Sequence, residues 1–175
     1  MGETCKENRA EAAPLVTVLV AVYNSEAFLR QCLDSLCAQT MDAVQIVCVD
    51  DASTDGSLAI LRDYAARDGR VEVIALNENH GQAYARNKAL ERARGRYVCF
   101  LDSDDWITPD ATKLLVETAR DHDCDLVISD FYRVVGERLS QKGDIDEDGI
   151  MTREEFAAHM MEDPADFYYG VLWNK

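Results

Sequence analysis

The chain has 175 residues and a formal net charge of −15, from 18 basic and 33 acidic side chains. A nucleic-acid partner calls for a basic face that neutralises phosphates, so that class is set aside. Apolar content of 47% fits a globular core, and no apolar run reaches the ~18 residues of a membrane helix, so no membrane segment is expected within this chain. Residues 1–14 are polar and charged, without the apolar stretch of a signal peptide, and are expected to form a loose tail ending at Pro14.

Residues 15–22 (LVTVLVAV) are an almost unbroken β-branched run, the pattern of a strand buried on both faces. Asn24 and Ser25 offer helix caps, and Phe28, Leu29, Cys32, Leu33 and Leu36 follow as one apolar stripe. Residues 45–50 (QIVCVD) read as a second strand, and the polar turn 51–56 leads to a helix carrying Leu58, Leu61, Tyr64 and Ala65. Residues 71–76 form a third strand. Gly81 opens a helix through Tyr84, Ala85, Ala89, Leu90 and Ala93 that stops near Gly95. After a fourth strand at 96–101, Thr108 reads as a cap with Pro109 in the first helical position, and that helix uses Leu114, Leu115, Thr118 and Ala119. Residues 125–129 are a fifth strand.

Strand and helix alternate with short connections, which predicts an α/β fold: a mostly parallel, Rossmann-like sheet with helices on both faces. Ligands of such sheets bind beyond the carboxyl ends of the strands. Three of those ends carry polar, mostly acidic groups: Tyr23-Asn24, Asp50-Asp51 and Asp102-Ser103-Asp104-Asp105. Past residue 130 the pattern changes to a mixed, charged stretch. Thr152 and Glu155 then form a capping box for a helix to residue 161, and residues 167–173 are an aromatic cluster. Ending at Lys175, directly after that cluster, reads as the cut edge of a longer protein. The six cysteines (Cys5, Cys32, Cys37, Cys48, Cys99 and Cys124) form no C-x-x-C pair and are expected to be buried thiols of a reducing cytoplasm.

The chemistry concentrates in three motifs. Asp102-Ser103-Asp104 ends a buried strand, and alternate carboxylates on an extended segment point the same way. A divalent cation with oxygen ligands can take a carboxylate there together with diphosphate oxygens. Asp50-Asp51 precedes a polar turn, and a carboxylate at that place can accept a hydrogen bond from a nucleobase N–H; Ser53 and Asp55 also suit a helix cap. In residues 79–87 (NHGQAYARN), Arg86 is one of few cations in an acidic region, placed to meet a nucleotide, pair with Asp51 or form a surface ion pair. No G-x-G-x-x-G follows the first strand, which weighs against a dinucleotide-dependent dehydrogenase or a related nucleotidyltransferase.

Four blocks in order resemble the family-2 glycosyltransferases of the GT-A fold over residues 15–132: 16–25 (VTVLVAVYNS), 45–57 (QIVCVDDASTDGS), 77–87 (NENHGQAYARN) and 93–109 (ARGRYVCFLDSDDWITP). Residues 169–175 (YGVLWNK) also resemble a stretch of capsule- and cell-wall-type members. The resemblance implies transfer of a sugar from a nucleoside-diphosphate donor, usually UDP, to an acceptor hydroxyl with inversion. It implies a nucleotide pocket lined by Ala21, Tyr23 and Asn24, with Asp51 on the base and Arg86 near it. Asp102 and Ser103 would face the donor, and Asp104, with Asp102, would hold Mn2+ or Mg2+. The partners implied are a nucleoside-diphosphate sugar and a glycan or lipid-linked acceptor, at a cytoplasmic location or the inner face of a membrane. Residues 15–132 would be the donor-binding core and 133–175 the start of the acceptor side. The family's catalytic base follows the aromatic stretch, so it is expected beyond Lys175, and no catalytic base is assigned here; Asp105 lacks motif support for that role.

A competing signal lies at 144–155, which fits the calcium loop D-x-D-x-D-G-x5-E. The preceding residues 131–143 read as strand and turn rather than as an entering helix. Two other readings therefore stand beside the enzyme: a calcium-binding regulatory or interaction protein, and a nucleotide-sugar-binding module without turnover.

Overall fold

In the computed structural model, residues 13–136, 138–142, 149–162 and 171–174 are described. The expected tail, but for its last two residues, and residues 144–148 of the calcium-type loop lie outside them. The β-branched run becomes β1 (Val16–Val22), and six of its seven residues are buried. It lies at the centre of a six-stranded sheet ordered β3-β2-β1-β4-β8-β5. β2 (Val44–Asp50) and β4 (Tyr97–Asp102) flank β1 in parallel, and β3 (Val71–Ala75) pairs with β2 in the same sense. Buried on both faces, β1 and β2 have no polar side, which explains their continuous apolar sequence.

Helices cover both faces, as alternation requires. Leu29, Cys32, Leu33 and Leu36 of α1 (Glu26–Cys37), Ile60, Leu61 and Tyr64 of α2 (Ser57–Arg67), and Val116 and Ala119 of α4 (Ala111–Asp121) pack on the face formed by Val16, Val18, Val20, Ile46 and Cys48. α3 (Gln82–Leu90) packs on the opposite face through Ala85 and Ala89, against Leu19, Val47, Val49 and Val98. Each fully buried Val or Leu contributes roughly 1.5–3 kcal/mol.

Expectations for three helices are corrected. α3 ends at Leu90 rather than near Gly95, and its larger side chains Tyr84 and Leu90 are exposed while Ala85 and Ala89 face the sheet. α4 begins at Ala111, not Pro109: Thr108 O accepts the Ala111 N–H at 3.1 Å, closing a turn before the helix. Its buried residues are Thr112, Val116 and Ala119, which leaves Leu114 and Thr118 outside. Phe28 also leaves the α1 stripe and is exposed.

The stretch after residue 130 forms a hairpin, β6 (Phe131–Val135) and β7 (Arg138–Lys142), with Gly136 at φ +62° in its turn. α5 (Arg153–Glu162) follows, capped reciprocally by Thr152 and Glu155 as expected. β8 (Val171–Asn174), from the aromatic stretch, enters the main sheet antiparallel between β4 and β5 (Leu126–Ile128). Hydropathy did not mark it, because four residues carry too little period to declare a strand.

The amino end of the sheet is sealed by a buried polar network. Thr17 Oγ1 donates to Gln45 Oε1 at 2.8 Å, and Gln45 Nε2 donates to Glu72 Oε1 and Arg92 O, both at 3.0 Å. The Arg94 N–H returns to Gln45 Oε1 and the Gly95 N–H to Thr17 Oγ1, each at 2.9 Å. Gly95 lies so close to β1 that a Cβ there would sit 2.6 Å from the Thr17 nitrogen.

Candidate functional site

The strand register brings the acidic groups together. Asp102 stands opposite Ala21 and Asp50 opposite Val22, so β1, β2 and β4 finish nearly level. Asp51 and Asp102 therefore flank β1 from either side, two strand spacings or roughly 10 Å apart in backbone terms. The chain leaves β1 and β2 through left-handed residues, Asn24 at φ 50° and Ala52 at φ 57°. For alanine that conformation costs about 1–2 kcal/mol, so the turn after β2 is held by its surroundings. The Asp51 N–H donates to Val22 O at 2.8 Å, and the Ser53 N–H donates to Asp50 Oδ2 at 3.3 Å. Asp50 Oδ1 is buried without a hydrogen-bond partner among the described residues.

Beyond these ends lies an open groove of about 310 Å³. Ala21, Val22, Tyr23 and Ser25 line it from β1, Asp51 from β2, Asn79, Gly81, Gln82 and Ala85 from the α3 side, and Ser103 from the loop after β4. Of the residues singled out in the sequence, Ala21, Tyr23, Asp51 and Ser103 thus share one groove. Asn24 is turned elsewhere: its Oδ1 accepts the Thr54 N–H at 2.8 Å, and its own N–H donates to Ser53 Oγ at 3.0 Å. It joins the two loops that form one wall instead of facing the groove. Glu26 and Asp55 extend that lacing, Asp55 Oδ2 accepting the Glu26 N–H and Glu26 Oε2 accepting the Gly56 N–H.

Asp51 is almost wholly buried, and its carboxylate organises the start of α3. Oδ1 accepts the His80 N–H at 2.9 Å and Oδ2 the Gly81 N–H at 2.7 Å. A carboxylate beside a helix N-terminus is favoured by the helix dipole. Gly81 itself adopts φ +88°, a conformation that side chains resist, which accounts for glycine here. Asn79 Nδ2 adds a bond to Asp51 O at 3.3 Å.

On the other side of β1, Asp102 Oδ1 accepts Arg86 Nη2 at 2.6 Å and Gln82 Nε2 at 3.0 Å. Arg86 therefore pairs with Asp102 and not with Asp51, the sequence alternative, because α3 runs back across β1 towards β4. Ligand oxygens of Asp102, Asp104 and Asp105 lie within 4.8 Å of one another. Asp105, set aside in the sequence, thus joins the other two. Burial, then the charges of Asp104 and Asp102, push its carboxyl above the ordinary carboxylate range. Beneath the group, the Cys32 thiol donates to Asp102 O at 3.6 Å and is pushed up to about 12, by burial first and then by the three carboxylates. Such mutual repulsion is what a hard cation relieves, so the donor set fits Mg2+ or Mn2+.

Two sets of contacts that the sequence did not reveal fix this loop. Ser25 Oγ and Ser103 Oγ are 2.7 Å apart, tying the loop after β4 to the end of β1. Gln39, buried near the end of α1, donates through Nε2 to Ser35 O and Thr108 O, while its Oε1 accepts the N–H and hydroxyl of Thr112. A lone glutamine just past a helix gives no such signal, since its partners Thr108 and Thr112 lie about seventy positions away. Gln82 is signalled only by standing four residues before Arg86, on the same helix face. In the calcium-type loop, Asp144, Asp146 and Asp148 lie outside the described residues, and the Glu155 carboxylate accepts the Thr152 N–H at 2.8 Å.

Comparison with known proteins matches this arrangement. EpsH of Bacillus subtilis (strain 168), a glycosyltransferase by assignment, is 38% identical over 171 residues, covering 93% of this chain and 46% of EpsH. The chain thus spans about half the length of that relative. Among solved structures, S. aureus TarS 1–349 in complex with UDP-GlcNAc superposes with a TM-score of 0.75 at 26% identity, over 91% of this chain and 45% of that one. The mannosyltransferase PcManGT from Pyrobaculum calidifontis, in complex with GDP-Man and Mn2+, gives 0.60 at 31% identity over 67% and 35%. The sheet order and covering helices are those of the GT-A fold. With the family model for glycosyl transferase family 2 running over residues 17–172, nearly the whole chain, the protein belongs to that family.

Proposed function

We propose that this chain binds the donor in a metal-dependent glycosyltransferase that moves a sugar from a nucleoside diphosphate, UDP above all, to an acceptor hydroxyl in polysaccharide synthesis. The observation that carries the reading is the clustering of Asp102, Asp104 and Asp105 around Ser103, a residue that lines the same groove as Asp51. A base set against Asp51 would find a buried carboxylate with lone pairs to spare for an N–H. Tyr23, half-exposed in the lining, offers a ring face, and Ser103 and Asp102 stand where a ribose or sugar hydroxyl would lie. Asp104, with Asp102, would hold Mn2+ or Mg2+, which supplies positive charge against the diphosphate. The likeness to structures in complex with UDP-GlcNAc and with GDP-Man and Mn2+ supports both halves of the reading.

Transfer in this reading is one displacement. The acceptor oxygen bonds to the anomeric carbon as the bond to the diphosphate oxygen breaks, which inverts that carbon. The acceptor proton passes to a base that none of the residues described above is assigned to be. Residues 15–132 serve the donor and 133–175 begin the acceptor side. Among the described residues no helix is long and apolar enough to cross a membrane; we place the reaction in the cytoplasm or at the inner face of a membrane, where a lipid-linked or glycan acceptor is met.

Calorimetric titration of UDP with Mn2+ and with a chelator tests the reading. The wild-type chain binds UDP more tightly with Mn2+, and Asp104→Asn loses that gain, roughly a hundredfold, at an unchanged melting temperature. UDP binding that ignores both Mn2+ and the substitution overturns it.

A further inference from the structure

We propose that Gln82 is a positioning residue for the cation-binding carboxylates: its side-chain amide fixes the plane of Asp102 and leaves the second oxygen of that carboxylate for the cation and the donor. The inference rests on the donor-binding reading above and extends it to a residue outside the acidic cluster. Gln82 and Arg86 are one helical turn apart on α3, and both donate to Asp102 Oδ1, at 3.0 and 2.6 Å. A carboxylate turns easily about its Cβ–Cγ bond, where the torsion is broad. One ion pair to a single oxygen leaves that rotation open, whereas a second donor from another direction closes it.

The two donors differ in kind. Arg86 brings charge, which offsets part of the repulsion among Asp102, Asp104 and Asp105. Gln82 brings none, so it acts by orientation alone. Its own position is set from Asp51. Gln82 is the first residue of α3, directly after Gly81, whose N–H is held by Asp51 Oδ2 at 2.7 Å. The Asp51 carboxylate thus fixes the backbone from which Gln82 reaches Asp102, and Gln82 lines the groove together with Asp51.

Gln82→Met removes the donor while keeping length and charge. UDP affinity is measured by calorimetry for the wild-type chain and this variant, each with Mn2+ and with a chelator. The variant keeps its melting temperature, and its gain on adding Mn2+ falls roughly tenfold, the scale of one hydrogen bond to a charged group, well beyond any change in its chelator-state UDP affinity. Gln82→Glu, an acceptor facing an acceptor, loses more of the gain than Gln82→Met. A full Mn2+ gain in Gln82→Met, or an equal loss with and without Mn2+, overturns the proposal, because the residue is then a bystander or an ordinary lining contact. A wild-type chain without any Mn2+ gain is a different result: it removes the metal-dependent reading itself, and the positioning role with it, before any variant is compared.

Discussion

The two ends of the sheet handle buried polarity in opposite ways. At the amino end, Thr17 and Gln45 are fully buried and partnered, each hydrogen bond closing on another member of the same network. At the carboxyl end, among the described residues, carboxylates crowd together, Asp50 Oδ1 has no hydrogen-bond partner, and Arg86 faces the group through Asp102. A satisfied network rigidifies, whereas an unsatisfied one holds electrostatic work in reserve for a ligand. The difference teaches that the same β1 serves stability at one end and, in the proposed function, binding at the other.

Substitutions can break or sharpen that contrast. The largest stability effect is expected from Gln45→Leu, which strands the Thr17 hydroxyl, the Arg94 N–H and the Arg92 carbonyl; denaturant unfolding should show a loss of about 3–4 kcal/mol. Gly95→Ala comes next, at about 2–3 kcal/mol, because the new methyl group meets β1 backbone that cannot move aside. A thermal melt of that variant within a degree of wild type would sink the close-packing account of this end.

The smallest effect runs the other way. Asp105 has a raised folded-state pKa, so proton binding favours the fold: its contribution is present below the ordinary carboxylate value of 3.8 and is lost as pH rises through the raised one. Asp105→Asn should therefore melt slightly higher than wild type at neutral pH without metal, and the difference should vanish in acid. If Asp105→Asn is less stable at neutral pH, the carboxyl end holds no such reserve.

The sequence disclosed the carboxyl end far better than the amino end. Asp51, Asp102 and Asp104 announce themselves because charged residues directly after apolar runs demand an explanation, and strand alternation says where those runs end. Thr17 and Gln45 sit inside strands, where a polar letter reads as a blemish until the partner from the α3–β4 turn is known. Gln39 stayed silent and Gln82 gave only its spacing from Arg86, for the same reason: their meaning depends on Thr112 and Asp102, distant in the chain. Helix faces were legible where large side chains fill them, as in α1, and misread in α4, whose start slipped by two residues past Pro109.

The insertion of β8 between β4 and β5 bears on the order in which the molecule can assemble. β5 pairs with β8 and not with β4, so its backbone hydrogen bonds wait on residues about forty-five positions later. Contacts so far apart in the chain are slow to form and late to reward closure. During synthesis, β1 to β4 can zip up as each crossover emerges, while the sheet beyond β4 stays unfinished until Leu172 and Trp173 arrive to bridge it.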